Sequence, residues 1–243
     1  MKILLLDIET SPNTAYVWGI FQENIPLARL KESSGVLCWS AKWYGRNEVM
    51  FESIHKTSRK TMLKKVHKLL DEADAVVTFN GNKFDLPVLN KEFLLHGLPP
   101  PAPYKSIDLY KTVRSKFRFV SNKLDYLVQQ LKIGQKIETN FELWVKCMNK
   151  DSDAWAKMEE YNTNDVIILE DLYIALLPWI KGHANRSTHS GDLVCPHCGG
   201  THFQRRGFAL TVAGKYPRFQ CQGCGTWFRG QKSEASTEKF IPL

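Results

Sequence analysis

The 243-residue sequence predicts an α/β fold, a mixed sheet flanked by helices, with a small cysteine-rich module at its C-terminal end. Three observations predict it. Strand-like runs come first and then alternate with helical patterns. One leucine-rich run, "LLLDIETSP" (4–12), stops abruptly in carboxylates. Two C-x-x-C pairs stand together near the end of the chain.

Residues 1–9 read as a strand. "GVLCWSAKWYG" (35–45) and "NEVMFESIH" (47–55) read as two more, joined as a hairpin at Gly45–Asn47. Met62, Leu63, Val66, Leu69 and Leu70 fall on one helical face. "AVVTF" (75–79) is a short apolar strand that runs into a turn at Gly81. "LPVLNKEFLLHG" (86–97) is a helix with Pro87 in its first turn and Gly97 as its stop. "LPPPAP" (98–103) is loop. A further helix begins near Ser121, its N-cap, and a long one runs from about Ser152 to Leu177, where Pro178 ends it. The aperiodic polar stretch 181–192 is a linker. This divides the chain into a domain at 1–180, the linker, a module at 193–230 and a loose tail at 231–243.

No apolar run approaches the ~20 residues that span a bilayer. The four apolar residues before Asp7 are too few for the ~7–15-residue core of a signal peptide. The expectation is a cytoplasmic protein with no membrane partner. Residues 186–243 hold eight Lys/Arg against three acids, so +5 of the net +8 lies there, which points to a polyanionic partner. Cys38 and Cys147 sit alone in apolar surroundings and read as buried thiols.

Alternate residues of a strand face one side, so Asp7 and Glu9 project together from the end of the first strand. In open α/β sheets that end is where ligands sit. Two carboxylates side by side repel unless a cation lies between them, and hard oxygen ligands favour Mg²⁺ or Mn²⁺. An isolated D-x-E is more often an acidic turn, but two further stretches point the same way. In "VVTFNGNKFDLPVL" (76–89) a buried strand leads through Asn80 to Asp85, an acid between Phe84 and Leu86. In "YNTNDVIILEDLY" (161–173), Tyr161 and Asp165 are helical neighbours on a stripe with Trp155, Met158, Ile168, Leu169, Leu172 and Leu176. A carboxylate on such a stripe is costly unless it is paired or metal-bound; a surface position suits Asp171 better.

In order, these stretches resemble the three motifs of DEDD-type 3′–5′ exonucleases of the ribonuclease H-like superfamily, above all the proofreading domain of family B DNA polymerases. "SNKLDYL" (121–127) resembles the helix between the second and third motifs, and the likeness covers about residues 1–177. Tyr161, with Glu160 where a His would otherwise stand, marks the tyrosine subclass. Lys83 departs from the Asn that the polymerase domains often carry. The resemblance implies hydrolysis of phosphodiesters with two Mg²⁺ or Mn²⁺ ions, DNA favoured over RNA. It implies that Asp7 bridges the ions, that Glu9 and Asp165 complete the site of the ion holding the attacking water, and that Asp85 holds the other. Tyr161, with an ordinary pKa of ~10, would orient the water rather than take its proton. Substrate contacts fall to Thr10, Asn80, Lys83 and Phe84.

Cys195, Cys198, Cys221 and Cys224 form two knuckles separated by 22 residues, each followed by a glycine (Gly199, Gly225). Four soft thiolates at this spacing suit one tetrahedral Zn²⁺. About 40 residues bury little core, so the metal would be the main source of their stability. His197 and His202 read as surface histidines. With Gly207, Tyr216, Phe219 and Trp227-Phe228, the module resembles the zinc ribbons of transposases and of the transcription machinery. Arg205, Arg206, Lys215, Arg218 and Arg229, interleaved with Phe208, Tyr216 and Trp227, suit phosphate contact and base stacking. Protein partners in replication, repair or mobile-element and viral DNA processing are also compatible. Two other readings remain: a ribonuclease H-like endonuclease, and an inactive nucleic-acid-binding recruitment protein.

Overall fold

A computed structural model describes residues 1–21, 24–188, 193–212 and 214–234. Contacts divide the chain into two units, Lys2–Leu172, and Tyr173–Leu243 together with Met1.

The first unit is built on a five-stranded sheet. Its strands are β1 (Ile3–Thr10), β4 (Val36–Trp43), β5 (Val49–Ser53), β6 (Ala75–Thr78) and β7 (Lys105–Asp108), in the order β5-β4-β1-β6-β7. β1 pairs antiparallel with β4 and parallel with β6, and β6 pairs parallel with β7, so the sheet is mixed as expected. The C-terminal ends of β1, β6 and β7 therefore lie along one edge. Leu4, Leu6 and Ile8 point from β1 into a core shared with Trp39, Met62, Leu63, Val66, Leu89 and Phe93. Each fully buried side chain of this kind contributes roughly 1.5–3 kcal/mol. Leu5, Asp7 and Glu9 face the other side, and the polar pair begins where the apolar face ends.

Helix α1 (Arg59–Glu72) buries the predicted stripe and is capped by Ser58, whose hydroxyl accepts from the Thr61 N–H. Helix α2 (Asp85–Leu95) begins one residue before the predicted start, and Gly97 beyond it adopts φ 68°. Helix α4 (Leu124–Leu131) starts after Lys123, not at Ser121. The Ser121 hydroxyl accepts from the Lys123 N–H at 3.3 Å and shapes a turn just ahead of the helix. Helix α6 (Ser152–Leu176) is as long as expected, and a 3₁₀ turn over Leu177–Trp179 follows it.

Among the described residues of the first unit, five strands and α-helices have no counterpart in the sequence reading: β2 (Thr14–Ala15), β3 (Leu30–Glu32), β7, α3 (Leu109–Lys116) and α5 (Phe141–Met148). All but β3 and β2 serve the site described below. They are short, and none has enough apolar periodicity to announce itself. β7 is a strand because β6 pairs with it. α3 starts where Asp108 caps it, its carboxylate accepting from the Tyr110 N–H at 3.0 Å.

The second unit carries a three-stranded antiparallel sheet, β8 (Phe203–Thr211), β9 (Gly214–Cys221) and β10 (Trp227–Arg229), in the order β10-β9-β8. Phe203, Phe219 and Phe228 form its small core, with ring centroids 5.4–5.7 Å apart. His197 is not a surface residue. It is half-buried, stacks on His183 at 4.7 Å and bonds the Leu177 carbonyl at 2.9 Å, because the helix end supplies an acceptor it can reach. His202 is exposed. Burial pushes the His183 imidazole down to about 4, so it is neutral, donating from Nδ1 to the Ala184 carbonyl and accepting from the Tyr173 hydroxyl. Residues 189–192 of the expected linker and 235–243 of the expected tail lie outside the described residues. No helix among the described residues is long and apolar enough to cross a membrane.

Candidate active site

Three carboxylates meet at the tip of β1. Asp7, Glu9 and Asp165 offer oxygens that all lie within 4.8 Å of one another. Asp85, the first residue of α2, reaches them from the side: its carboxylate accepts the Ile8 N–H at 3.2 Å, and its charge acts on Asp7. The helix stripe carries Asp165 into the interior at 3 % exposure, while Asp171 stays outside. One wall of the cleft around these acids, about 730 Å³, is formed by Asn80 and Phe84. Lys83 lines an adjoining cavity of about 310 Å³ and Thr10 another of about 410 Å³. A larger cavity of about 960 Å³ lies over β5, α1 and α6; it holds none of the clustered acids.

Four residues that the sequence did not single out complete the arrangement. Lys136 forms an ion pair with Asp165 at 2.9 Å and lies 4.9 Å above the Tyr161 ring. Asn162 is fully buried and donates to Asp7 at 2.6 Å. Trp144 on α5 packs edge-on against Tyr161 at 5.8 Å and hydrogen-bonds Glu9. Asp108 is buried and accepts from the N–H groups of Asn80 at 2.9 Å and Asn82 at 3.3 Å, holding the loop that leads to Asp85. In that loop Asn80 adopts φ 65°, and a side chain at Gly81 would meet Thr78 at 2.3 Å, so only glycine fits. Asn162 could have been found as the neighbour of Tyr161; Lys136 lies in "IGQKIETN", which has no pattern to flag it.

The electrostatics are those of a cation site. Burial, then the charges of Asp85, Glu9 and Asp165, hold the Asp7 carboxyl well above the usual range, with Lys136 only partly opposing them. Burial and then Asp165 push Glu9 up to about 7, and burial pushes Asp85 up to about 7 against the Ile8 N–H. Asp165 is raised by burial and restrained by Lys136. One oxygen of Asp165, Oδ1, is buried with no hydrogen-bond partner. Converging oxygens, mutual repulsion and an orphaned acceptor all fit divalent cations. Burial, then Asp165 and Glu9, push the Tyr161 phenol upward, so at neutral pH it stays protonated and can donate a hydrogen bond but not take a proton.

The second candidate metal centre is Cys195, Cys198, Cys221 and Cys224, whose sulfurs also lie within 4.8 Å of one another. The Cys195–Cys224 and Cys198–Cys221 sulfurs are 3.7 and 3.6 Å apart, matching the edge of about 3.8 Å that a tetrahedron of ~2.3 Å Zn–S bonds requires. The two knuckles are built alike. The N–H of Cys195 donates to Gly200 O and that of Cys221 to Thr226 O, while Gly199 and Gly225, both at φ 77°, donate back to the first cysteine. Burial raises the Cys221 thiol, but the N–H groups of Cys224 and Gly223 outweigh it and bring it to about 7.

The family model of the RNase_H superfamily matches residues 4–177, and the chain belongs to that superfamily. Among solved structures the chain is similar to the family B DNA polymerase from the hyperthermophilic archaeon Pyrobaculum calidifontis. The TM-score is 0.52 at 19 % identity over 73 % of this chain, and the match spans 24 % of that polymerase. None of the curated protein sequences matches.

Because the acids have raised proton affinity, the metal-free fold binds more protons than the unfolded chain. That part of its stability is complete below the ordinary carboxylate pKa of about 4 and is lost as pH rises through about 7. Cation binding must displace those protons. The rise in Tm produced by Mn²⁺, with zinc retained, should therefore grow steadily from about pH 5 to about pH 8 and vanish in Asp7→Ala. A pH-independent rise would contradict a site at these carboxylates.

Proposed function

We propose that this chain is a 3′–5′ exonuclease of the DEDD tyrosine subclass acting on DNA, with a zinc ribbon that adds grip on the strand. The observation that carries the reading is the convergence of Asp7, Glu9 and Asp165 within 4.8 Å, with Asp85 bonded to the adjacent Ile8 N–H. Superfamily membership supports nuclease-type chemistry and does not specify the end attacked.

Asp7, Glu9, Asp85 and Asp165 would hold two Mg²⁺ or Mn²⁺ ions, which supply a nucleophilic hydroxide and neutralise charge on the leaving 3′ oxygen. Tyr161, kept protonated, donates a hydrogen bond that orients the attacking oxygen. Lys136 steadies Asp165 and adds positive charge where the phosphorane charge develops. Asn162 fixes the Asp7 carboxylate. Phe84, 42 % exposed in the cleft, offers a ring for a base to stack on.

The expected ribbon contacts separate into two groups. Arg218 lies over Trp227 at 5.0 Å and Arg229 over Tyr216 at 4.0 Å, on the face opposite the Phe203–Phe219–Phe228 core. Arg205 and Lys215 bracket Phe208, and Arg205 is already paired with Glu234 at 2.8 Å. Arg206 carries the carbonyl that accepts from Arg218. The Arg218–Trp227–Arg229–Tyr216 face is the better nucleic-acid surface, offering cations together with the exposed Trp227 ring and the half-buried Tyr216 ring.

The test is one gel with 3′- and 5′-labelled DNA and RNA, with Mg²⁺, Mn²⁺ or chelator. Mononucleotides released from the 3′ label on DNA are expected. Discrete internal fragments would favour an endonuclease, and no turnover with any metal would favour the recruitment protein.

A further inference from the structure

Next to the acidic cleft lies the smaller cavity lined by Asn80, Lys83, Tyr110, Lys111, Arg114 and Ser115. Asn80 and Tyr110 line both, so the two adjoin. Lys111, Arg114 and Ser115 stand on the exposed face of α3, at the i, i+3, i+4 spacing that places side chains together, while Thr112 and Val113 point inward. Lys83 faces them from the loop before α2.

Three cations share this wall, and among the described residues none of them forms an ion pair. Arg114 instead lies 5.8 Å from the centre of the Tyr110 ring. The nearby acid, Asp108, is buried, and both of its oxygens accept backbone N–H groups rather than any of the three cations. Because Asp108 ties the Asn80 loop to the start of α3, Lys83 and the α3 cations are held on one rigid frame.

The cavity on the Thr10 side of the cleft is different. It is lined by Phe141 and Trp144 with small polar residues and has no cation. A strand end lying across the acids has one scissile phosphate there and all its remaining phosphates on one side. The cationic side matches the phosphates; the aromatic side matches a single terminal base.

We infer that Lys83, Lys111 and Arg114 form a phosphate track that holds the substrate strand 5′ of the scissile bond. This rests on the exonuclease reading and extends it: the enzyme would take single-stranded ends several nucleotides long and hold them by their backbone, without reading sequence.

The test uses the full zinc-loaded chain with Lys111→Gln/Arg114→Gln, both exposed positions outside the acidic site. For an oligothymidylate long enough to fill both cavities, KM should rise about tenfold with kcat unchanged. Hydrolysis of the dinucleotide should not change. Binding of the same fluorescent oligothymidylate, measured in the Asp7→Ala background, should lose about 1.4 from the slope of log K against log salt, at ~0.7 per phosphate contact on a single strand. The control Lys60→Gln/Lys64→Gln, on α1, should alter neither. Equal effects on long and short substrates, or a salt slope unchanged by the α3 pair, would overturn the track. A parent protein that releases no nucleotide would sink the exonuclease reading alone, because the salt slope needs no turnover.

Discussion

Asp7→Ala should abolish metal-dependent release of nucleotides from a 3′-labelled strand, and Asp165→Ala should do the same. The expected loss is on the order of 10³-fold or more, beyond the ~10²–10³ that follows removal of a single oxyanion-hole donor. On the proposed exonuclease reading, each change would remove an oxygen ligand together with a charge facing the reacting phosphate, and no neighbour could replace either. Asp7 is the residue most affected by the others, since Asp85, Glu9 and Asp165 all act on it. The fold should survive. Without added metal, the Tm of Asp7→Ala should equal or exceed that of the parent at pH 8, because one of several repelling, buried carboxylates has gone. Asp171→Ala, at an exposed position on the same helix, is the matched control and should keep full activity. Turnover within a few-fold of the parent in Asp7→Ala or Asp165→Ala would remove the assignment.

Loss of zinc should unfold the sheet of β8, β9 and β10. The Phe203–Phe219–Phe228 core consists of three rings, none of them fully buried, which is little apolar area to offset the entropy of ordering some 35 residues. Structural zinc contributes an apparent ~10–16 kcal/mol in peptides of this kind, so the metal is the larger part of the stability. Cys221→Ser should fall from about one zinc per chain to none by elemental analysis and lose the dispersed aromatic NMR signals of these phenylalanines. On the proposed reading, in which the acids of the first unit carry the chemistry, cleavage of a dinucleotide should persist, whereas affinity for longer DNA should fall. A zinc-free Cys221→Ser protein with those signals intact would show that the sheet folds without metal.

The distribution of what the sequence revealed has a physical basis. Asp7 and Glu9 were legible because strand alternation is a local rule: Leu4, Leu6 and Ile8 had to face one side, so the acids had to face the other. Asp165 was legible because a carboxylate in the middle of an apolar helical stripe contradicts its surroundings. The paired cysteines and their positive-φ glycines were legible because a metal knuckle closes within a few residues. Lys136, Trp144, Asn162 and Asp108 were not, because each takes its meaning from a partner 17 to 155 residues away, as in the Trp144–Tyr161 contact and the Asn162–Asp7 bond. Ser121 misled because a hydroxyl that can cap a helix can equally well close the turn before one.

The sequence by itself therefore determined which groups could do chemistry: the acids, the phenol and the thiols, together with the strand and helix that carry the first and last of the acids. Only the tertiary structure decided that Asp85 meets the tip of β1, that Lys136 meets both Asp165 and Tyr161, and that the unpaired cations of α3 line a cavity beside that cleft. Periodicity and spacing are properties of a few consecutive residues. The convergence of β1, α2, α3 and α6 is set by strand order and by burial of the whole sheet, and no local window contains either.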